Sequence, residues 1–69
     1  MSRGDTMLEE RWRVQVRRGD RATHGSSFKD EASARGYFES LAIAGSEKIL
    51  ERRAAGAARY EAVLRQEMR

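Results

Sequence analysis

Arg11, Arg13, Gln15 and Arg17 recur at every second position of the stretch Arg11-Trp12-Arg13-Val14-Gln15-Val16-Arg17. In an extended chain alternate residues share a face about 7 Å apart, so this spacing lines up three guanidiniums and an amide. Guanidinium forks bind phosphate and carboxylate oxygens, and on a sheet face they reach base edges in a DNA major groove. Arg18 and Arg21 extend the group. Residues 11–29 carry six basic side chains against Asp20 alone, whereas the remainder carries eight basic and ten acidic ones. Arg11, Arg13, Gln15, Arg17, Arg18 and Arg21 are therefore the candidate nucleic-acid-binding set, with duplex DNA as the partner. The competing reading is a solvated face on which Glu51, Glu61 or Glu67 of neighbouring strands pair with these arginines. It stands slightly ahead.

Other chemistry has little material. The chain has no cysteine, so no thiolate nucleophile, zinc–thiolate site or disulfide can form, and packing alone must hold the fold. His24 is the only histidine and sits beside Gly25, where a loop or edge position explains it more simply than catalysis. The acidic residues form no metal-ligand cluster, and a small sheet under one helix encloses little water-free space for acid–base work. The sequence points to no catalytic residue, no metal, no cofactor and no small-molecule substrate. Arg-Gly-Asp occurs at Arg3–Asp5 and Arg18–Asp20, and both tripeptides read as local turn chemistry. The longest uninterrupted apolar run, Leu41–Ala44, has four residues, far fewer than a membrane span needs. The expectation is a cytoplasmic protein with no membrane partner.

The elements that must position the arginines follow from periodicity. Strict alternation makes residues 11–17 a strand that buries Trp12, Val14 and Val16. Arg18-Gly19-Asp20-Arg21 reads as a turn, and Ala22–Phe28 as a polar return strand. With a plain two-residue turn, Phe28 would oppose Arg11 and face solvent. One extra residue, in the loop or a bulge, sets it opposite Trp12 on the apolar face, and this is the expected register. From Asp30 to Ala44 the period turns helical, with Asp30 as N-cap, Glu31 in the first turn, Gly45 at C′ and a stripe of Ala34, Phe38 and Leu41. Gly36 within it suggests close approach to a neighbour.

Residues 46–69 admit two readings. As a hairpin, strands Lys48–Arg53 and Ala58–Gln66 flank Ala54-Ala55-Gly56-Ala57, with Tyr60, Ala62 and Leu64 facing the core. As a helix, Leu50, Ala54, Ala57, Leu64 and Met68 make a stripe. The hairpin is preferred because a two-stranded ribbon is barely stable alone. The expected fold is a single α+β domain over residues 10–69, one helix on a mostly antiparallel sheet in ββαββ order, after a flexible leader over residues 1–9. The alternative is ββαα, with residues 46–68 helical. The expected core is Trp12, Val14, Val16, Phe28, Phe38, Leu41, Tyr60 and Leu64.

A strand bearing Trp12, a Gly19-Asp20 turn, a polar strand ending in Phe28 and a capped helix together resemble the AP2-like arm-binding domain of tyrosine-recombinase integrases, over residues 11–41. That family's aromatic-Thr and Glu-Ala pattern falls on Phe28, Asp30, Ser33 and Ala34, with Tyr37 and Phe38 at its later aromatic positions. Asp30 stands where the family has Thr, and Ser33 where it has Glu. The family's third strand precedes its helix, whereas here the remaining strands follow. The resemblance implies DNA contact through the face bearing Arg11, Arg13, Gln15 and Arg17. The chain also resembles small phage-type accessory proteins.

Four Leu, two Ile, three Val and two Phe are a thin supply of core for 69 residues. Ordering the chain costs roughly 1.5 kcal/mol per residue, and a second copy or another protein can supply the missing burial. The sequence therefore points first to a non-catalytic interaction module that self-associates as a homo-oligomer through sheet edges or the helix face. A DNA-binding accessory domain is the alternative.

Overall fold

The computed structural model describes residues 9–69. Strands β1 (Arg11–Arg18) and β2 (Arg21–Phe28) precede helix α1 (Glu31–Ser40), and strands β3 (Ser46–Arg53) and β4 (Glu61–Met68) follow it. The four strands make one sheet in the order β2-β1-β3-β4, with every neighbouring pair antiparallel. The fold is the expected ββαββ α+β arrangement, and residues 46–53 and 61–68 are strands, which overturns the all-helical reading of 46–68. The leader expected over residues 1–9 lies outside the described residues except for Glu9, as does the Arg3–Asp5 tripeptide. Glu9 is tied down, its carbonyl accepting from Arg53 Nη2 at 3.3 Å.

Alternation sets the first hairpin as expected. Trp12, Val14 and Val16 are buried while Arg11, Arg13, Gln15 and Arg17 are half-buried on the other face. Phe28 stands opposite Trp12 because β2 carries one extra residue. His24 opposes Val16 and Ala22 opposes Arg17, which leaves Thr23 as the bulge. Its hydroxyl donates to the Val16 carbonyl at 3.2 Å and ties the bulge to β1.

Asp30 caps α1, its Oδ1 accepting from the Ser33 backbone N–H at 2.8 Å. That hydrogen bond holds the Asp30 carboxyl below its ordinary range, so the cap is charged at neutral pH. The helix ends at Ser40, four residues before the expected Ala44. Leu41 is already extended, and Gly45, at φ 81°, belongs to the turn entering β3 rather than to a helix cap. The cause lies outside the helix. Lys48 of β3 is buried, 5% exposed, and its Nζ donates to the carbonyls of Phe38 at 2.6 Å and Leu41 at 3.2 Å. No basic residue occupies the last turn of α1, so Lys48 brings the cation that a helix C-terminus favours.

The helix packs on β1, β2 and β3 but not on β4. Ala34 and Phe38 sit with Trp12, Val14 and Leu50 in one cluster, and Phe28, Tyr37 and Leu41 pack around it. Phe28 and Tyr37 meet with ring centroids 5.3 Å apart. Gly36 points elsewhere: a Cβ there would meet open space, so the expected close approach is not made. Gly36→Ala should raise stability by about 1 kcal/mol, the usual difference in helix propensity, as read by urea denaturation. A loss of stability would show that the glycine serves a contact.

The second hairpin corrects the expected core. Ala57 N donates to Ala54 O at 2.9 Å, and Gly56 takes φ 80°, as the third position of a type II turn demands. Leu50 opposes Leu64 while Glu51 opposes Ala62, which leaves Val63 as an extra residue in β4. The bulge reverses the alternation, so Ala62 and Leu64 cannot share a face. Leu64 is on the helix side, yet 43% exposed because α1 does not reach β4. Tyr60 is on the opposite face, under Arg13. Leu50 and Ile49 take the buried places instead, at 0% and 2% exposure.

Candidate functional site

The face of the sheet turned away from α1 is densely charged. Register places Arg11, Arg13, Gln15 and Arg17 of β1 beside Glu47, Ile49, Glu51 and Arg53 of β3, and Arg65 and Glu67 of β4 beyond them. Five arginines face three glutamates. Arg18 and Arg21 do not join them: they oppose each other at the hairpin end, in line with Trp12, Val14 and Val16 on the helix side. The six candidate residues are thus divided, four on the open face and two at the rim of the other.

Several of these guanidiniums have partners within the chain. Arg13 Nε meets Glu51 Oε1 at 2.6 Å, and the Arg13 guanidinium lies 4.0 Å from the centroid of the Tyr60 ring. Arg13 is therefore held by a carboxylate at its edge and an aromatic surface across its plane. Glu51 is one of the acids expected to pair across the sheet. Arg53 lies 5.8 Å from the same ring. Arg17 Nη2 donates to the Asp20 carbonyl and Arg18 Nη2 to the Ala44 carbonyl, both at 3.1 Å. Arg65 Nη1 reaches Glu47 Oε1 at 3.4 Å. Gln15 stands opposite Ile49, which is buried although it lies on this open face. Long polar side chains spread their stems over apolar surface in this way and keep their heads in water.

The edge of the sheet is the second feature. β2 and β4 end the sheet, so each presents a row of backbone N–H and C=O groups with no neighbouring strand. The two edges differ in character. β2 carries Thr23, His24, Gly25, Ser26 and Ser27 and is interrupted by its bulge. β4 carries Val63 at 45% exposure and Leu64 at 43%, the two large hydrophobic residues left exposed among those described. Its charge is also unbalanced: Glu67 stands directly opposite Glu47, and Glu67 makes no ion pair among the described residues.

The sequence points to sheet edges in general, without marking β4 as the uncovered one. Val63 and Leu64 were legible as apolar, but only the position of α1 shows that nothing covers them. His24 is exposed on β2, its Nδ1 3.2 Å from Thr23 Oγ1. Among the described residues no group of His, Asp or Glu could hold a metal ion, and no helix is long and apolar enough to cross a membrane. No family model, curated protein or solved structure matches the chain.

Proposed function

We propose that this chain is a small, non-catalytic interaction module of the cytoplasm that associates with a second copy of itself through the edge of β4. The observation that supports this reading is the uncovered strand: β4 ends the sheet, lies outside the reach of α1, and exposes Val63 and Leu64 together. An open edge with apolar side chains and no proline is a template for another strand. The thin core argues the same way, since pairing buries apolar area that a chain of this size lacks.

Sedimentation at about 100 μM, where associations of micromolar strength are populated, should give the mass of a dimer. Leu64→Lys places a charge on the edge and should return the protein to a monomer with an unchanged circular dichroism spectrum. A wild-type monomer at that concentration overturns the reading.

Duplex DNA, the partner implied by the resemblance of residues 11–41 to AP2-like domains, is the competing outcome. It stands second because Arg13, at the centre of the open face, is occupied by Glu51 and Tyr60. Duplex binding that weakens by about 0.9 log units per log unit of salt for each neutralised phosphate, and that is lost in Arg17→Glu, would assign the open face to nucleic acid instead.

A further inference from the structure

The charges of β4 select one way for two copies to meet. We infer that β4 pairs with β4 of a second copy, antiparallel about a two-fold axis centred on Gln66, so that each Arg65 faces the other copy's Glu67. The inference rests on the self-association proposed above and deepens it by naming the register.

Antiparallel strands related by a two-fold axis have that axis perpendicular to the sheet. Each sheet face then continues into the same face of the partner, and the axis must pass through a pair of identical residues. From Leu64 to Met68, β4 runs in unbroken register against β3, with Val63 bulged before it. Met68 ends the strand, so a centre there leaves nearly all of β4 unpaired, and four centres remain to compare. Centring on Arg65 sets two guanidiniums directly opposite each other. Centring on Glu67 sets two carboxylates opposite and also brings Arg65 to Arg69. Centring on Leu64 carries the ladder through the bulge and turns Glu67 toward Glu61. Like charges directly opposite on a sheet are destabilising.

Centring on Gln66 meets none of these objections. Arg65 opposes Glu67 on the open face twice over, by symmetry, and Leu64 opposes Met68 on the helix side, also twice. The amide of Gln66, donor and acceptor at once, faces its own copy. Glu67 gains most. Among the described residues it stands opposite Glu47 with no ion pair, and the second copy supplies a guanidinium. The half-exposed Leu64 gains an apolar neighbour in the strip that α1 leaves bare.

Charge reversal tests the register. Glu67→Arg alone replaces the Glu47–Glu67 opposition with an attractive pair, so its monomer should be at least as stable as wild type. Its homodimer should weaken on the order of tenfold or more, because each Arg65 then faces the arginine introduced in the other copy. Arg65→Glu should weaken its own homodimer likewise. Mixed in equal amounts, the two variants should form a mixed dimer in which both pairs are attractive, and the exchange variant Arg65→Glu/Glu67→Arg should dimerise as wild type does. Arg65 also pairs with Glu47; where Arg65→Glu fails to fold, Glu67→Arg and the exchange variant decide between them. If the wild type dimerises and Glu67→Arg dimerises equally well, the register is wrong while self-association stands. If the wild type is monomeric at about 100 μM, both fall.

Discussion

Leu50→Ala is expected to destabilise the fold by about 4 kcal/mol, in the upper part of the range for leucines deleted from packed cores. Leu50 is fully buried and stands between Val14 on β1 and Leu64 on β4, beneath a helix that contributes Ala34 and Phe38 to the same cluster. Apart from Leu64 its walls belong to a helix and to β1, a strand with partners on both sides, so the space left behind cannot readily collapse. A domain of this length has about 3–10 kcal/mol of total stability, and the variant should be largely unfolded or lose roughly 20 °C in Tm. Ile49→Ala is the informative comparison. Ile49 is as buried as Leu50 but lies on the open face among long polar side chains, and these can settle into the vacancy. A cost of about 1–2 kcal/mol is expected there. Urea denaturation of the two variants, at concentrations low enough to keep the chain monomeric, separates the cases. If Ile49→Ala costs as much as Leu50→Ala, the open face is a second rigid core and its arginines are structural.

The two faces also explain what the sequence disclosed. β1 was legible because each alternate residue obeys the same burial rule without exception, and the β2 register followed once Phe28 had to meet Trp12. Asp30 announced the start of α1 because an N-cap is a local device, a side chain reaching three residues ahead. The end of α1 was not legible from local signals. Gly45 looks like a terminator, but the cation that satisfies the last carbonyls arrives from β3. Counting by twos sets Tyr60 and Leu64 on one face because it assumes an unbroken ladder, and nothing in Glu61-Ala62-Val63-Leu64 marks Val63 as the extra residue. Ile49-Leu50 carried a usable signal: adjacent large aliphatics in a strand point to opposite faces, so both being buried requires cover on each side.

The candidate site divides along the same line. Arg11, Arg13, Gln15 and Arg17 share a face, as their spacing required, because alternation within one strand is enough to place them. Arg18 and Arg21 lay close in sequence to that group but fall on the other parity. The Arg13–Glu51–Tyr60 arrangement depends on β3 and β4 stacking beyond β1, an order that no stretch of sequence encodes by itself. The uncovered β4 edge is harder still, since it arises from where a ten-residue helix stops. A helix extending to Ala44 would change what lies over the neighbouring strands, so the device that ends α1 bears directly on the surface proposed for association.

That device carries the second large effect. Lys48→Met keeps most of the apolar stem and removes the ammonium, and it is expected to cost about 2–3 kcal/mol. Two opposed terms decide the sign. Removing a buried charge recovers desolvation energy, and replacing buried ions with apolar groups stabilises some proteins. Against this, Lys48 Nζ serves two backbone carbonyls, at 2.6 and 3.2 Å, and lies 4.6 Å from the Phe38 ring centroid. Hydrogen bonds to a charged group contribute roughly 1.5–3 kcal/mol each, and the helix C-terminus adds about 0.3–1 kcal/mol for a nearby cation. Methionine leaves the Leu41 carbonyl without its donor and the Phe38 carbonyl with only the long 3.3 Å bond from the Leu41 N–H, in a region that already excludes most water, so the loss outweighs the relief. Amide exchange gives a second readout: protection should fall at the C-terminal turn of α1 before it falls in β1. Lys48→Arg keeps the charge but carries a wider planar head, and it should fall between wild type and methionine. A Lys48→Met variant as stable as wild type, with that turn still protected, would show that the carbonyls find water and that α1 stops at Ser40 for another reason.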